Sequence, residues 1–183
     1  MIIGITGTLG AGKGTVVKYL VEHKGFKHLS ARALFQELME KEGVEINRDT
    51  MVVFANALRA QYGGDYVFRE LFKRAKELGA NVVIESLRTV GEAKALKENN
   101  NAYLLAVDAD QGLRYERIYG RGSELDHVTF EKFLEQENTE MHSSDEHKQN
   151  IAAVMAMADH TIYNDNNTGE LFQAVEKFLD VVK

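Results

Sequence analysis

Gly7-Thr8-Leu9-Gly10-Ala11-Gly12-Lys13-Gly14-Thr15 is the stretch from which the rest of the chain is read. The β-branched run Ile2-Ile3-Gly4-Ile5 before it predicts a buried strand, and Val16-Val17-Lys18-Tyr19-Leu20-Val21 after it has the length and spacing of a helix. Strand, glycine-rich turn and helix thus follow in the order of a loop that wraps phosphates. Glycines let the backbone curl so that successive N–H groups point inward, the helix start adds positive potential, and a lysine reaches the terminal phosphates. Gly7, Gly10, Ala11, Gly12, Lys13, Gly14 and Thr15 are the residues expected to hold a nucleoside triphosphate. The hydroxyl that commonly follows such a lysine arrives one place late, at Thr15, so a magnesium ion there would be held largely through water and phosphate.

Composition narrows the alternatives. At 183 residues, 44% apolar and 27% charged, the chain suits one soluble domain with a substantial core. No apolar run approaches the roughly 20 residues of a membrane helix, and no basic-then-apolar leader opens the sequence, so a cytoplasmic protein without a membrane partner is expected. The absence of cysteine excludes disulfides and thiolate metal sites. A net charge of −6 argues against a general nucleic-acid surface, which needs Lys and Arg to neutralise phosphates. Small nucleotides are the expected partners, of a monomer or homodimer.

Along the chain, 26–29 reads as a short strand, and Ser30 caps a helix from about Ala31 to Glu42. Thr50 caps a second helix, Met51 to Tyr62, and Asp65 a third, Tyr66 to Leu78. Residues 81–85 form a strand ending in Glu85, and Thr89 with Glu92 has the spacing of a capping box. Residues 102–107 form a strand ending at Asp108, and a helix carrying Arg114, Arg117 and Arg121 follows. Two further helices are predicted, about Thr129 to Met141 and about Asp145 to Met157. His160-Thr161-Ile162-Tyr163 is a last strand, and Thr168 starts a closing helix. Strands alternating with helices predict an α/β fold: a parallel sheet of about five strands covered on both faces, with ligands beyond the strands' carboxyl ends.

The Gly12-Lys13-Gly14-Thr15 ending resembles adenylate kinase and other nucleoside monophosphate kinases. That resemblance implies a three-layer P-loop NTPase fold, ATP as co-substrate with Mg2+, an acceptor-binding helical segment at about 31–78 and a lid at about 114–141. Glu85-Ser86-Leu87-Arg88 is similar to the family's Asp-Gly-Phe-Pro-Arg, whose arginine holds the acceptor phosphate. A carboxylate at a strand tip suits magnesium, so Glu85 and Thr15 are the candidate metal residues. Arg88 can fork onto a phosphate. Arg114, Arg117 and Arg121 line one helical face at i, i+3 and i+7, and in the resembled family arginines at a lid's base stabilise the transferring group; Arg117 and Arg121 match best.

On the acceptor side the family's Thr-Gly-Asp-Leu-Leu-Arg compares with Ser30-Ala31-Arg32-Ala33-Leu34-Phe35-Gln36, where Gln36 replaces the phosphate-binding arginine and Arg32 or Arg59 would compensate. The layout and the ending 158–165 also look like dephospho-coenzyme A kinase and its archaeal relatives, which makes Asn164 a candidate for base contacts. The expected activity is transfer of the ATP terminal phosphoryl group to a small phosphorylated acceptor, a nucleoside or deoxynucleoside monophosphate. The alternatives are hydroxyl phosphorylation and a nucleotide-binding regulatory module without kinase activity. Catalysis would rest on Lys13, Arg88, Arg117 and Arg121. The variant Lys13→Ala is expected to lose turnover far more than folding stability, and normal activity in a correctly folded Lys13→Ala protein would remove the assignment.

Overall fold

Five short segments rich in β-branched and aliphatic residues pair in one direction. β1 (Ile2–Gly7) lies between β3 (Val82–Glu85) and β4 (Ala102–Asp108), β2 (Lys27–Ser30) extends the sheet beyond β3, and β5 (His160–Tyr163) extends it beyond β4. Every pairing is parallel, giving the order β2-β3-β1-β4-β5. The computed structural model describes residues 1–120, 129–145 and 147–182, with only the backbone at 48 and 49.

Nine helices are placed among the described residues: α1 (Lys13–Lys24), α2 (Ala31–Glu42), α3 (Arg48–Tyr62), α4 (Tyr66–Leu78), α5 (Val90–Lys97), α6 (Gln111–Tyr119), α7 (Phe130–Met141), α8 (Ile151–Ala156) and α9 (Thr168–Val182). The central strands are buried on both faces, which is why they read as apolar runs without alternation. Ile3, Ile5, Val83, Leu105 and Val107 share one core with Val16 and Leu20 of α1 and Val175 and Phe178 of α9. Val82, Ile84 and Leu104 face a second core built from α2, α4 and α5 through Leu34, Phe68, Leu71 and Leu96. Three layers result, as the alternation predicts. None of the described helices is long and apolar enough to cross a membrane.

Two predicted helix starts move, and one predicted cap makes no side-chain bond. Thr50 is not the cap of α3: Asn47 is, accepting the Thr50 N–H at 2.9 Å, while the Thr50 hydroxyl accepts the Asn47 N–H at 3.0 Å. Asp65 occupies the cap position of α4 in helical backbone without a side-chain cap, and its carboxylate pairs with Arg69 instead. The helix expected from Asp145 begins only at Ile151, with Asn150 as its cap. There the Asp145 carboxylate takes the N–H of His147 at 3.0 Å, a local turn that competes with helix.

The register puts all the informative strand ends at one edge. Glu85 pairs with Ile5 on one side and Ser30 on the other, while Gly7 lies opposite Val107, one residue before Asp108. Gly7 adopts φ 135°, and a Cβ there would sit 1.9 Å from the Val107 carbonyl oxygen. A side chain at Gly14, by contrast, would meet nothing within 4 Å. Gly7→Ala should therefore destabilise the fold by more than about 2 kcal/mol through overpacking and a left-handed backbone. Gly14→Ala should stay within about 0.5 kcal/mol or gain slightly, as an exposed helical glycine-to-alanine change does. Urea unfolding of the two variants checks the contrast.

Candidate functional site

β1 delivers the chain into a loop whose carbonyl oxygens are tied down from several directions. Lys13 folds back so that its Nζ donates to the carbonyls of Gly7 at 2.8 Å and Thr8 at 2.7 Å. The Leu9 carbonyl accepts from Arg114 Nη1 at 3.2 Å, and the Ala11 carbonyl from Asn164 Nδ2 at 2.8 Å. Gly12, at φ 100°, starts α1 with no side-chain cap. A Cβ at Gly12 would sit 2.4 Å from Asn164 Nδ2, so the loop and the turn after β5 fit only with glycine there. With its carbonyls engaged outward and its helix start uncapped, the loop turns amides and the positive end of α1 to one side. That is the chemistry of an anion cradle. Gly14 and Thr15 are exposed in the first turn of α1.

Two carboxylates stand at the neighbouring strand tips. Asp108 accepts the Thr8 hydroxyl at 2.6 Å and its own neighbour's N–H, from Ala109, at 2.9 Å. Glu85 bonds His28 Nε2 at 3.0 Å. This bond holds the Glu85 carboxyl below the ordinary carboxylate range; burial opposes it, and the charges of His28, Lys13 and Arg88 reinforce it. No group of three or more His, Cys, Asp or Glu that could hold a metal occurs among the described residues. The donors available, one or two carboxylates and the Thr15 hydroxyl, suit an ion that retains water and takes the rest of its shell from phosphate oxygens.

The second tip leads into Arg88 through an unusual turn. Ser86 has φ 70°, the left-handed conformation that a glycine would take without strain. The Arg88 and Thr89 N–H groups both donate to Glu92 Oε2, at 2.7 and 3.2 Å, and Thr89 caps α5 with the Glu92 N–H. The predicted capping box is present in full. The Arg88 guanidinium reaches across to α7, where Nη1 meets Glu140 Oε2 at 3.1 Å and Gln149 Oε1, beyond the helix, at 2.9 Å.

The remaining arginines divide. Arg32 is exposed in the first turn of α2. Arg59, expected to serve the acceptor, is 3% exposed and paired with Glu92 at 3.5 Å, so an internal carboxylate meets it in place of solvent. Arg114 is likewise no solvated lid cation: it is buried, paired with Glu137 of α7, and bonded through Nε to the Ala109 carbonyl. Arg117 donates Nη2 to the Asn164 carbonyl at 2.8 Å, and its buried Nη1 has no hydrogen-bond partner among the described residues. Arg121, with most of the expected lid's turn, lies outside the described residues. Asn164 is buried and spends its amide on the Ala11 carbonyl, which ties it to the loop.

Sequence reasoning did not find His28, Glu137, Glu140 or Gln149. For Glu137 a signal existed, since it follows Phe133 by four residues on the buried stripe of α7, where a carboxylate needs a cationic partner. Edge-strand His28 and the two partners of Arg88 carry no comparable pattern.

A family model described as an AAA domain matches residues 3–157. A UPF0200 protein of Sulfurisphaera tokodaii is 31% identical over 179 residues, covering 97% of this chain and 95% of its own length. A UPF0200 protein of Thermococcus kodakarensis is 29% identical over 188 residues, covering 100% and 98%. Among solved structures, TT1252 from Thermus thermophilus matches with TM-score 0.68 at 21% identity, covering 100% of this chain and 98% of that one. Shikimate kinase from Acinetobacter baumannii in complex with shikimate matches with TM-score 0.59 at 18% identity, covering 99% and 92%. These structural likenesses carry the fold.

The His28–Glu85 bond generates a pH test. A carboxyl whose folded pKa lies below its unfolded value of 4.5 adds stability above that pH, and the contribution disappears as the pH falls through the lower folded value. Urea unfolding should therefore show a gap between wild type and His28→Ala at neutral pH that closes as the solution is acidified below 4.5. A gap independent of pH would show that the bond does not depress Glu85.

Proposed function

The chain belongs to the AAA domain family matched over residues 3–157 and has a P-loop kinase-like fold, and from that premise we propose that it is a magnesium-dependent phosphotransferase using ATP. The acceptor in this reading is a small phosphorylated molecule, a nucleoside or deoxynucleoside monophosphate. One observation carries it: the Lys13 ammonium and loop amides share a strand-end edge with Glu85 and Arg88 on adjacent tips. A cationic donor cradle after β1 and a guanidinium three residues beyond the end of β3 thus follow neighbouring parallel strands.

Each group has a definite task. The loop amides and the α1 start bind the β- and γ-phosphates, and Lys13 exchanges its two carbonyl partners for phosphate oxygens. Arg88, from the β3 tip, binds the acceptor phosphate with its remaining donors, and Arg32 approaches from the start of α2. Thr15 and Glu85 would hold magnesium, which supplies charge neutralisation across the phosphates when bound. Arg117, anchored on the Asn164 carbonyl, comes from the lid side, and Arg121 is assigned the same task by the resemblance alone. Transfer to a phosphate oxygen needs positioning and electrostatic stabilisation and no dedicated base.

A hydroxyl acceptor is the second reading, favoured by Gln36 at the expected arginine position and by the burial of Arg59. Proton removal would then fall to a carboxylate at the strand tips, Glu85 or Asp108. Incubation with ATP, magnesium and a panel of nucleoside monophosphates, deoxy forms and dephospho-coenzyme A separates the readings. Phosphorylated monophosphates support the first, phosphorylated dephospho-coenzyme A supports the second, and nucleotide binding with no transfer leaves a regulatory module. For a monophosphate acceptor, Arg88→Ala should raise its KM by about 10- to 100-fold, the worth of a charge-assisted hydrogen bond, with little change in the KM for ATP.

A further inference from the structure

Beneath the Arg88 turn lies a polar cluster that the proposed reaction does not use directly. Glu92 is 2% exposed and presents both oxygens: Oε2 to the N–H groups of Arg88 and Thr89, Oε1 to Arg59 Nη2. Arg59 comes from α3, on the far side of this cluster, and its guanidinium lies 6.0 Å over the Phe35 ring. Thr89, fully buried, donates its hydroxyl to the Gly64 carbonyl at 2.8 Å, in the connection between α3 and α4. The predicted acceptor segment is thereby joined to the backbone of Arg88 by an unbroken line of buried polar contacts.

As a stability device this cluster is poorly built. Burying two charges costs several kcal/mol each, repaid only by close geometry and full hydrogen bonding, and on the Arg59 side neither condition is met. The ion pair spans 3.5 Å, and the buried Arg59 Nε has no hydrogen-bond partner among the described residues. What the pair does achieve is to hold the Glu92 carboxylate from both sides, Oε1 on Arg59 and Oε2 on the two backbone amides. Those amides set the direction in which the Arg88 side chain leaves the chain, and Glu140 and Gln149 fix its far end.

We infer that Arg59 is a positioning residue: the buried counter-charge that, through Glu92, aims Arg88 at the acceptor phosphate. This rests on the phosphotransfer reading above. It assigns Arg59 a role behind the site in place of contact with the acceptor.

A double-mutant cycle between Arg59→Met and Arg88→Ala tests it, using whichever monophosphate of the panel the wild type phosphorylates. Arg59→Met alone should raise the acceptor KM by about tenfold with the ATP KM unchanged, and Arg59→Lys should recover most of that loss. In the Arg88→Ala background, Arg59→Met should add nothing, because the group it acts through is gone. Multiplying effects would overturn the inference and make Arg59 either an acceptor ligand or a purely structural residue. An unaltered acceptor KM in folded Arg59→Met would do the same. Where Arg59→Met does not fold, Arg59→Lys carries the cycle, its own KM change vanishing in the Arg88→Ala background. Failure of the wild type to phosphorylate any of the panel is a different result: it removes the phosphotransfer reading itself, with this inference.

Discussion

The loop from Gly7 to Lys13 must turn its amides toward a ligand, and that leaves its carbonyl oxygens in need of partners elsewhere. The rest of the molecule supplies them. Arg114 takes the Leu9 carbonyl, Asn164 takes that of Ala11, and Lys13 covers Gly7 and Thr8. Thr8 is fixed further by Asp108 at the neighbouring strand end. An unpaired buried carbonyl costs about as much as a lost hydrogen bond, so these contacts hold the loop as firmly as its glycines permit it. The parallel order β3-β1-β4, with β5 beyond, is what brings their donors to one edge.

The turn that carries Arg88 is held differently. It has Ser86 at φ 70°, where the resembled kinases have glycine, so the backbone shape survives a residue that makes it costly. Leu87 locks the turn from inside, its N–H on the Ile5 carbonyl at 3.0 Å and its own carbonyl accepting the Thr6 hydroxyl at 2.8 Å. Both partners belong to β1. Movement of the first strand would therefore disturb the donor loop and the Arg88 turn together.

Elements with a local cause were legible in the sequence, and partners with a distant cause were not. The Ser30 cap and the Thr89–Glu92 box depend on residues within four positions, and the last strand and the closing helix announce themselves by local apolar patterns. The fold class followed from the alternation of such elements. Arginine roles did not, because i, i+3, i+7 spacing fixes a helical face and leaves open whether water or a carboxylate meets it. Arg114 finds Glu137 from another helix, and Arg59 finds Glu92 from beyond α4. Asn164 looked like a residue at a turn facing the base; its amide contact, 153 residues back along the chain, puts it under the loop.

These pairings change the charge balance from which the chemistry must work. Arg114 faces Glu137 and Asp108, Arg59 faces Glu92, and Arg88 shares one nitrogen with Glu140. Two of the arginines that sequence spacing offered to phosphate thus have carboxylate partners of their own, and a third has half of its fork engaged. A carboxylate beside an arginine lowers its attraction for an anion but restricts its motion, so such an arginine contributes direction more than charge. In the phosphotransfer reading, neutralising three or four phosphate charges would then depend mainly on Lys13, the α1 start and a divalent cation. In that reading such a site would gain its specificity from where the guanidinium points, which gives the buried groups behind Arg88 a weight comparable to those in front of it.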